Sequence, residues 1–418
     1  MLFATYTFAV FLAVVFALYA VLPLRGRQLM LLVASYVFYC WETPVYGLLL
    51  LASTLLDYFV GLGLERTDSP RGRRALICCS LAGNLGMLGF FKYGDFIGAN
   101  AAGLGRLLGF EGHWQPMGFI LPVGISFYTF QTLSYALDVY RRQLKAERNL
   151  WTFALYVTYF PQLVAGPIER AGHLLPQLKA QHPILLENLV AGAKRILTGL
   201  FLKLVVADRL GILADAAFAA PGQHTALATW LSLMAFALQI YLDFASYASI
   251  ALGSARLFGV TLAENFNRPL VSVSIAEFWN RWHMTLTRWF HDYVFVSLGG
   301  FRKGGRRAIL NAIIVLVLCG LWHGARWNFV FWGAYHAVLL SAYYIWKFRQ
   351  KRKGRRQKLE KGKFTLAMAV SVGFTFFCNV VGTIFFRSPD IPTIGKVLKA
   401  CVGLHDGPVI PDNWTLAG

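Results

Sequence analysis

Charge is what this sequence has least of. Asp, Glu, Lys and Arg make up 14% of its 418 residues, hydrophobic residues 57%, and the mean hydropathy is +0.52. Soluble domains hold about 25% charged and about 45–50% apolar residues, so this polar complement cannot coat a water-soluble body of such size. Acidic residues are scarcer still, 20 against 40 Lys and Arg, for a net charge of +20. A nucleic-acid surface needs those cations on one soluble face among exposed aromatics. Here they cluster in short loops between apolar runs, so no nucleic-acid partner is expected. The six cysteines (Cys40, Cys78, Cys79, Cys319, Cys378 and Cys401) show no CxxC or Cys/His spacing. Most lie in apolar runs, and neither disulfides nor a metal site is expected. Walker A, GxGxxG and GxSxG patterns are absent, which argues against nucleotide hydrolysis and an in-chain serine hydrolase. Met1-Leu-Phe-Ala-Thr has no basic n-region, and no small-residue cleavage site precedes Leu22-Pro23. The first apolar segment is therefore expected to be kept.

What is present is a succession of apolar runs. A span needs about 20 apolar residues, fewer where protein covers its ends. The candidates are Thr5–Pro23, Leu29–Cys40, Val45–Leu62, Ala75–Phe91, Met117–Leu137 and Trp151–Val164. They continue with Leu189–Val206 (amphipathic), Ala226–Phe258 (long enough to be broken or doubled), Ala308–Leu321, Asn328–Trp346 and Phe364–Phe386. This predicts an all-α, polytopic transmembrane helical bundle of about ten to eleven membrane segments in one domain, residues 1–418.

Basic loops fix the orientation. They are Arg25/Arg27, Arg66 to Arg74, Arg141 to Arg148, Arg302 to Arg307, and Lys347–Lys363, where ten of seventeen residues are Lys or Arg. Two apolar segments separate each loop from the next within each half, so the charge bias puts these loops in the cytoplasm and the N-terminus outside. Lys347–Lys363 is also expected to touch anionic lipid. Between Leu163 and Lys303 the count is unreadable, because Pro161, Gly166 and Pro167 break the apolar run. Irregular backbone at membrane depth survives only where protein or a water-filled cavity surrounds it. The middle third is thus the expected place of a funnel or re-entrant segment.

Polar residues concentrate there and just beyond. His323, in Gly320-Leu-Trp-His-Gly, lies between two strongly apolar runs, and an ionisable group near membrane depth is a functional candidate. From the start at Ala308, fourteen residues cover roughly 20 Å of a core of about 30 Å, placing His323 beyond the midplane. A neutral imidazole is a suitable general base for a hydroxyl; the structural alternative is a buried histidine bonded to a neighbouring helix. His336, one span later, reads more readily as that structural type. Glu277-Phe-Trp-Asn-Arg-Trp-His283 continues to His291-Asp-Tyr293 without a long apolar core, as an interfacial segment would. On one helix His283 and His291 would lie about 80° apart. Gln239 and Asp243 share a face at i,i+4. Asp243 is placed to orient a histidine, bind a polar substrate or pair with a buried Arg.

Read together, several strings resemble the membrane-bound O-acyltransferase (MBOAT) family: Leu121-Pro-Val-Gly-Ile-Ser-Phe-Tyr-Thr-Phe-Gln131, Tyr159-Phe-Pro-Gln-Leu-Val-Ala-Gly-Pro167, Glu264-Asn-Phe-Asn267, Phe278-Trp-Asn-Arg-Trp-His283 and Leu321-Trp-His-Gly324. The branch resembled is that of bacterial alginate O-acetylation and its peptidoglycan and D-alanyl-transfer relatives. The resemblance implies a multi-pass protein of the bacterial cytoplasmic (inner) membrane that moves an acyl group, acetyl by the look of the motifs, to an extracytoplasmic acceptor. The donor implied is acetyl-CoA or another cytoplasmic acyl thioester, with no bound cofactor. An extracytoplasmic serine-hydrolase-like (SGNH-type) partner is implied as well. His323 matches the family's signature histidine and His283 the second histidine of the tunnel. Asp243, Gln239, Tyr241, Asn265, Arg281, Trp282 and Trp322 are the positions expected to bind donor or substrate. Two departures stand out: Ser249 occupies a position where relatives often carry an acid, and relatives often continue past Gly418 into further spans, so the chain is either a shorter member or a truncated one. The rival reading, a proton-coupled transporter or flippase of an acylated lipid or glycan, predicts paired half-repeats, and none is evident between the halves.

Overall fold

The computed structural model describes residues 1–110, 112–164, 166–352 and 365–405. Every regular element among them is helical, because a helix closes its backbone hydrogen bonds internally, as hydrocarbon demands. Five helices are long and apolar enough to cross a bilayer: Tyr46–Arg66, Pro70–Leu107, Ala226–Leu257, Gly305–His323 and Leu366–Arg387. The result is an all-α polytopic bundle.

Boundaries differ from the sequence expectation where local chemistry intervenes. The run expected to stop at Phe91 passes through a π-helical turn, Gly89–Tyr93, into Gly94–Leu107. Lys92 does not end it, since its ammonium reaches Ser126 Oγ at 3.0 Å. The run expected from Met117 becomes helical only at Ile125. Pro116 and Pro122 withhold N–H donors, and Gly118 and Gly124 take positive φ. A Cβ on Gly124 would meet the Leu163 carbonyl oxygen at 2.8 Å. Trp151–Val164 is split at Tyr159 into Leu150–Thr158 and Phe160–Leu163, with Pro161 tolerated in the first turn of the second piece. Ala226–Leu257 is one unbroken helix of 32 residues. Arg25 and Arg27 lie inside the helix Leu24–Cys40, and part of the expected Lys347–Lys363 loop belongs to the helix Trp327–Arg352. Residues 353–363 of that loop, Phe364 and Gly418 lie outside the described residues.

The chain divides into two compact units. The first comprises Met1–Leu200 and Ser246–Glu264. Its core is aromatic, with Phe11 and Phe160 edge to face at 5.2 Å and Phe38 at 5.8 Å from Phe160. Fully buried Asp57 accepts from Ser80 Oγ and, at 2.7 Å, from Asn84 Nδ2. Such pairing is what makes a carboxylate tolerable at that depth. Arg73 is not a free loop cation. It is buried, and its guanidinium donates to the carbonyls of Leu64, Val139 and Tyr140.

The second unit comprises Phe201–Ala245 and Asn265–Gly418. It holds the helix pair Gly305–His323 and Trp327–Arg352. Gly320 and Gly333 let these two backbones touch: a Cβ on Gly320 would sit 2.2 Å from the Phe329 oxygen, and one on Gly333 2.4 Å from the Leu316 oxygen. Leu366–Arg387 packs against the pair through Tyr335 Oη, which donates to the Cys378 carbonyl at 2.8 Å. Leu233, Ala237, Val380 and Ile384 form an apolar core with Ile394 and Val397 of the amphipathic helix Ile391–Cys401.

Candidate active site

All nine sequence-nominated site residues fall in the second unit. The local architecture starts at Ser274, whose side chain caps the helix Ile275–Arg281 by accepting from Glu277 N at 3.2 Å. Glu277 reaches back to accept from Val273 N at 2.8 Å, a reciprocal arrangement close to a capping box. That helix ends at Trp282, and a second helix, Met284–Phe290, begins beyond His283. His283 itself is left-handed, with φ 39° and ψ 55°. The expectation of His283 and His291 on one helix face is therefore corrected. His291 starts a separate π-helical turn, is exposed, and pairs with Asp292 at 2.9 Å.

A left-handed non-glycine residue costs about 1–2 kcal/mol, and Asn265 is what holds it. The Asn265 carbonyl accepts from Met284 N at 2.8 Å. Its Oδ1 accepts from His283 Nδ1 at 3.0 Å and Thr285 Oγ1 at 3.0 Å, with Thr285 N at 3.4 Å. Because the Thr285 N–H can only donate, the carboxamide oxygen must face this cluster. His283 then carries its proton on Nδ1, and Nε2 is the basic nitrogen of the neutral ring. Asn265 Nδ2, by contrast, is a buried donor with no partner among the described residues.

His283 is 1% exposed. Its ring meets Phe244 at 4.8 Å and 83°, Trp322 at 5.8 Å and 76°, and Phe266 at 6.2 Å. Burial in this aromatic setting drives its pKa well below the ordinary 6.5, and the neighbouring charge of His323 adds to the effect. His283 is thus held neutral.

His323 is the last residue of Gly305–His323 and is only partly buried. Its ring lies 5.0 Å from Trp322, 5.1 Å from Trp332 and 5.2 Å from Phe386. Trp322 therefore stands between the two histidines and touches both. Trp332 continues the row to His336 at 4.8 Å. His336 does not bond to a neighbouring helix, as its structural reading expected. It is 2% exposed and makes no hydrogen bond with a described residue, and Phe278, Trp279 and Tyr335 surround the rest of its ring.

The remaining nominated residues divide into two groups. Trp282 stacks on Phe278 at 5.5 Å and lies 6.2 Å from Tyr241, whose ring is 5.8 Å from Phe266. These extend the aromatic wall beside His283. Asp243 instead pairs with Lys203 at 2.6 Å, and Lys203 also binds Asp208 at 2.7 Å. Of the three roles open to Asp243, the cation pair is the one seen, though with lysine and not arginine. Gln239, one turn earlier, is half-buried and forms no hydrogen bond with a described residue. Arg281 is engaged by Glu277 at 2.6 Å, while its carbonyl accepts from Asn267 N.

Sequence reasoning passed over Lys203, Phe244, Phe266, Trp332, Phe386 and Thr285. Lys203 had a signal, a cation inside an apolar run. Phe266 stood inside the Glu264–Asn267 string, but Phe244, Trp332 and Phe386 had no signal, because an aromatic in an apolar helix reads as lipid-facing until packing is known. Among the described residues no three His, Cys, Asp or Glu side chains converge to hold a metal.

Comparison with known proteins identifies the family. The profile of the membrane-bound O-acyltransferase family matches residues 141–381. A "probable alginate O-acetylase" of Azotobacter vinelandii is 35% identical across 97% of this chain and 77% of its own length. A "peptidoglycan O-acetyltransferase" of Helicobacter pylori is 32% identical across 93% of the chain and 76% of its own length. A "teichoic acid D-alanyltransferase" of Bacillus subtilis is 28% identical across 64% and 69%. The matched span contains the cradle of His283 on Asn265 as well as His323, Trp322 and Trp332, and the chain belongs to the membrane-bound O-acyltransferase family, as a multi-pass membrane O-acyltransferase.

Proposed function

We propose that the chain transfers an acyl group, acetyl in the first instance, from a cytoplasmic thioester such as acetyl-CoA to an extracytoplasmic acceptor that serves polysaccharide or cell-wall O-acylation. The relatives' names supply the acceptor class, since they act on alginate, peptidoglycan or teichoic acid. In keeping with that class, the acceptor hydroxyl is offered by an SGNH-type partner in the bacterial inner membrane system. The N-terminus lies outside and the basic loops inside, by the charge bias.

The observation that carries the reading is the division of labour between two imidazoles joined by Trp322. His323 is partly exposed and able to meet substrate. His283 is buried, neutral and fixed in one tautomer by Asn265. His323 takes the proton of the attacking hydroxyl as its oxygen bonds to the thioester carbonyl carbon. The C–S bond then breaks, and the thiolate leaves with the proton returned from His323. His283 steadies the reacting group across Trp322, and the buried Asn265 amide is a donor of the type that stabilises an oxyanion. Asp243 and Lys203, with Gln239, shape the polar flank of the site.

The test is thioester cleavage by the purified protein, with acetyl-CoA and candidate acceptor partners present. His323→Ala should lose turnover by about 10²–10⁴-fold, the scale of a removed general base, while the protein stays folded and keeps its partner. Unchanged turnover in that variant would overturn the role of His323.

A further inference from the structure

The second unit also contains a cavity of about 320 Å³ that neither His283 nor His323 lines, although Trp279, which packs on Trp332, forms part of its wall. Phe295, Leu316 and Leu340 form apolar walls, while Arg288, His291 and Phe301 also line it. Phe301 packs on Phe295 at 5.1 Å yet remains 50% exposed, so it stands at the mouth. The chain then turns sharply, with Gly299, Gly300 and Gly304 all at positive φ. Asn311 Nδ2 bridges the carbonyls of Leu298 and Gly300 at 3.4 Å. This tethered turn presents Arg302 and Lys303, and the first helical turn after it presents Arg306 and Arg307.

All four of these side chains, and Arg288, are exposed. None pairs with a carboxylate among the described residues; Asp292, the nearest in sequence to Arg288, is bonded to His291. Arg306 and Arg307 also stand at a helix N-terminus, where the backbone dipole already contributes positive potential. The sequence has thus concentrated like charge where the fold least favours it, and no described group compensates. On the same helix Leu310, Ile313 and Leu318 are 44%, 37% and 41% exposed, an apolar face suited to lipid.

We infer that the cavity and its basic turn form a binding site for one anionic phospholipid, the phosphate resting on Arg302, Lys303, Arg306 and Arg307 and an acyl chain entering past Phe301. A soluble polyanion, CoA included, would satisfy the charges and its base could stack on Phe301, but it would leave the aliphatic face of Leu310, Ile313 and Leu318 uncovered. A neutral lipid would fill the cavity and leave the cations unmatched. Only an anionic lipid meets both halves, as basic pockets between membrane helices commonly do.

Native mass spectrometry of the full-length protein in detergent, titrated separately with palmitoyl-oleoyl phosphatidylglycerol and phosphatidylcholine, tests this directly. The wild type should retain phosphatidylglycerol at least tenfold better. A variant combining Arg302→Gln, Lys303→Gln, Arg306→Gln and Arg307→Gln changes only surface residues and should lose most of that preference. Leu316→Trp, which fills the cavity but keeps every charge, should lower retention as well. Soluble glycerophosphoglycerol and inorganic pyrophosphate should compete poorly. Equal retention of the two lipids, indifference to the charge variant, or full displacement by either soluble anion would overturn the inference.

Discussion

Nδ1 of His283 donates to Oδ1 of Asn265 across 3.0 Å, while the Asn265 carbonyl accepts the N–H of Met284 at 2.8 Å. One residue thus sets both the tautomer of the histidine and the strained backbone beneath it. Replacing Asn265 with Ala should therefore damage two things together. Activity should fall by about 10²-fold or more as ring orientation is lost. Stability should fall by about 1–3 kcal/mol as buried donors lose their acceptor. Steady-state turnover and thermal unfolding of the same preparation would show both. A stable, fully active Asn265→Ala protein would contradict the arrangement.

Burial of His283 predicts a pH dependence with a definite sign. Its folded pKa lies well below 6.5, through burial first and His323 second. Unfolded, the ring takes up a proton below about pH 6.5. Below that pH the unfolded chain binds more protons, so stability rises with pH up to about 6.5 and is flat above it. On acidification the fold should lose about 1.4 kcal/mol per pH unit from this residue. His173 has the opposite sign, because its bond to Glu169 raises its pKa. That contribution is present below 6.5 and lost as pH rises through the folded value. Unfolding midpoints from pH 5 to 8 for wild type, His283→Gln and His173→Gln should separate the two slopes.

His336 and His283 are both buried imidazoles, yet only His283 makes a hydrogen bond with a described residue. Burying a polar ring without partners is unfavourable, whereas an apolar ring of similar size can be neutral or stabilising. His336→Phe should keep or raise the free energy of unfolding, and His283→Phe should lower it by about 1–3 kcal/mol. Should His336→Phe also reduce turnover while the fold is intact, His336 acts on the site through Trp332, which lies between it and His323.

Lys203 lies between two carboxylates, at 2.6 Å from Asp243 and 2.7 Å from Asp208. Lys203→Met should impair the protein more than Asp208→Asn does. The first leaves two carboxylates without their shared cation, and the second leaves the Asp243 pair in place. Purification yield and turnover of the two variants side by side would check the order.

The two glycines Gly320 and Gly324 make a further contrast. A Cβ at Gly320 meets the Phe329 backbone oxygen at 2.2 Å, but one at Gly324 meets only the Phe329 ring at 2.2 Å. Backbone cannot step aside and a ring can. Gly320→Ala should destabilise the helix pair by about 1–3 kcal/mol, the usual cost of overpacking, and Gly324→Ala by less. Similar midpoints for both would mean that the helices separate easily.

Much of this was legible in the sequence. Long apolar runs with few charges gave the helical, membrane-spanning class. The strings around Asn265, His283 and His323 named the family. The failures have local causes. Met117–Leu137 looked like one span because hydropathy does not register Pro122 or the positive φ of Gly124. His283 and His291 looked like one helical face because nothing in the composition of that segment announces a left-handed residue between two short helices. His336 is buried as expected but lacks the expected bond to a neighbouring helix among the described residues, because whether a partner is within reach is decided by tertiary packing alone.

The touching backbones at Gly320 and Gly333 have a consequence for how this enzyme could be re-purposed. With no side chain between them at that crossing, the two helices carrying His323, Trp332 and His336 form a closely joined hairpin, and the backbone at its tip leaves only the His323 ring to be set by packing on Trp322, Trp332 and Phe386. New acyl or acceptor preferences are then best sought in the aromatic rings packed around His283, Phe244 and Phe266, and in Trp282 beside them. Changes within the hairpin itself would shift the His323 ring before they reshaped its surroundings.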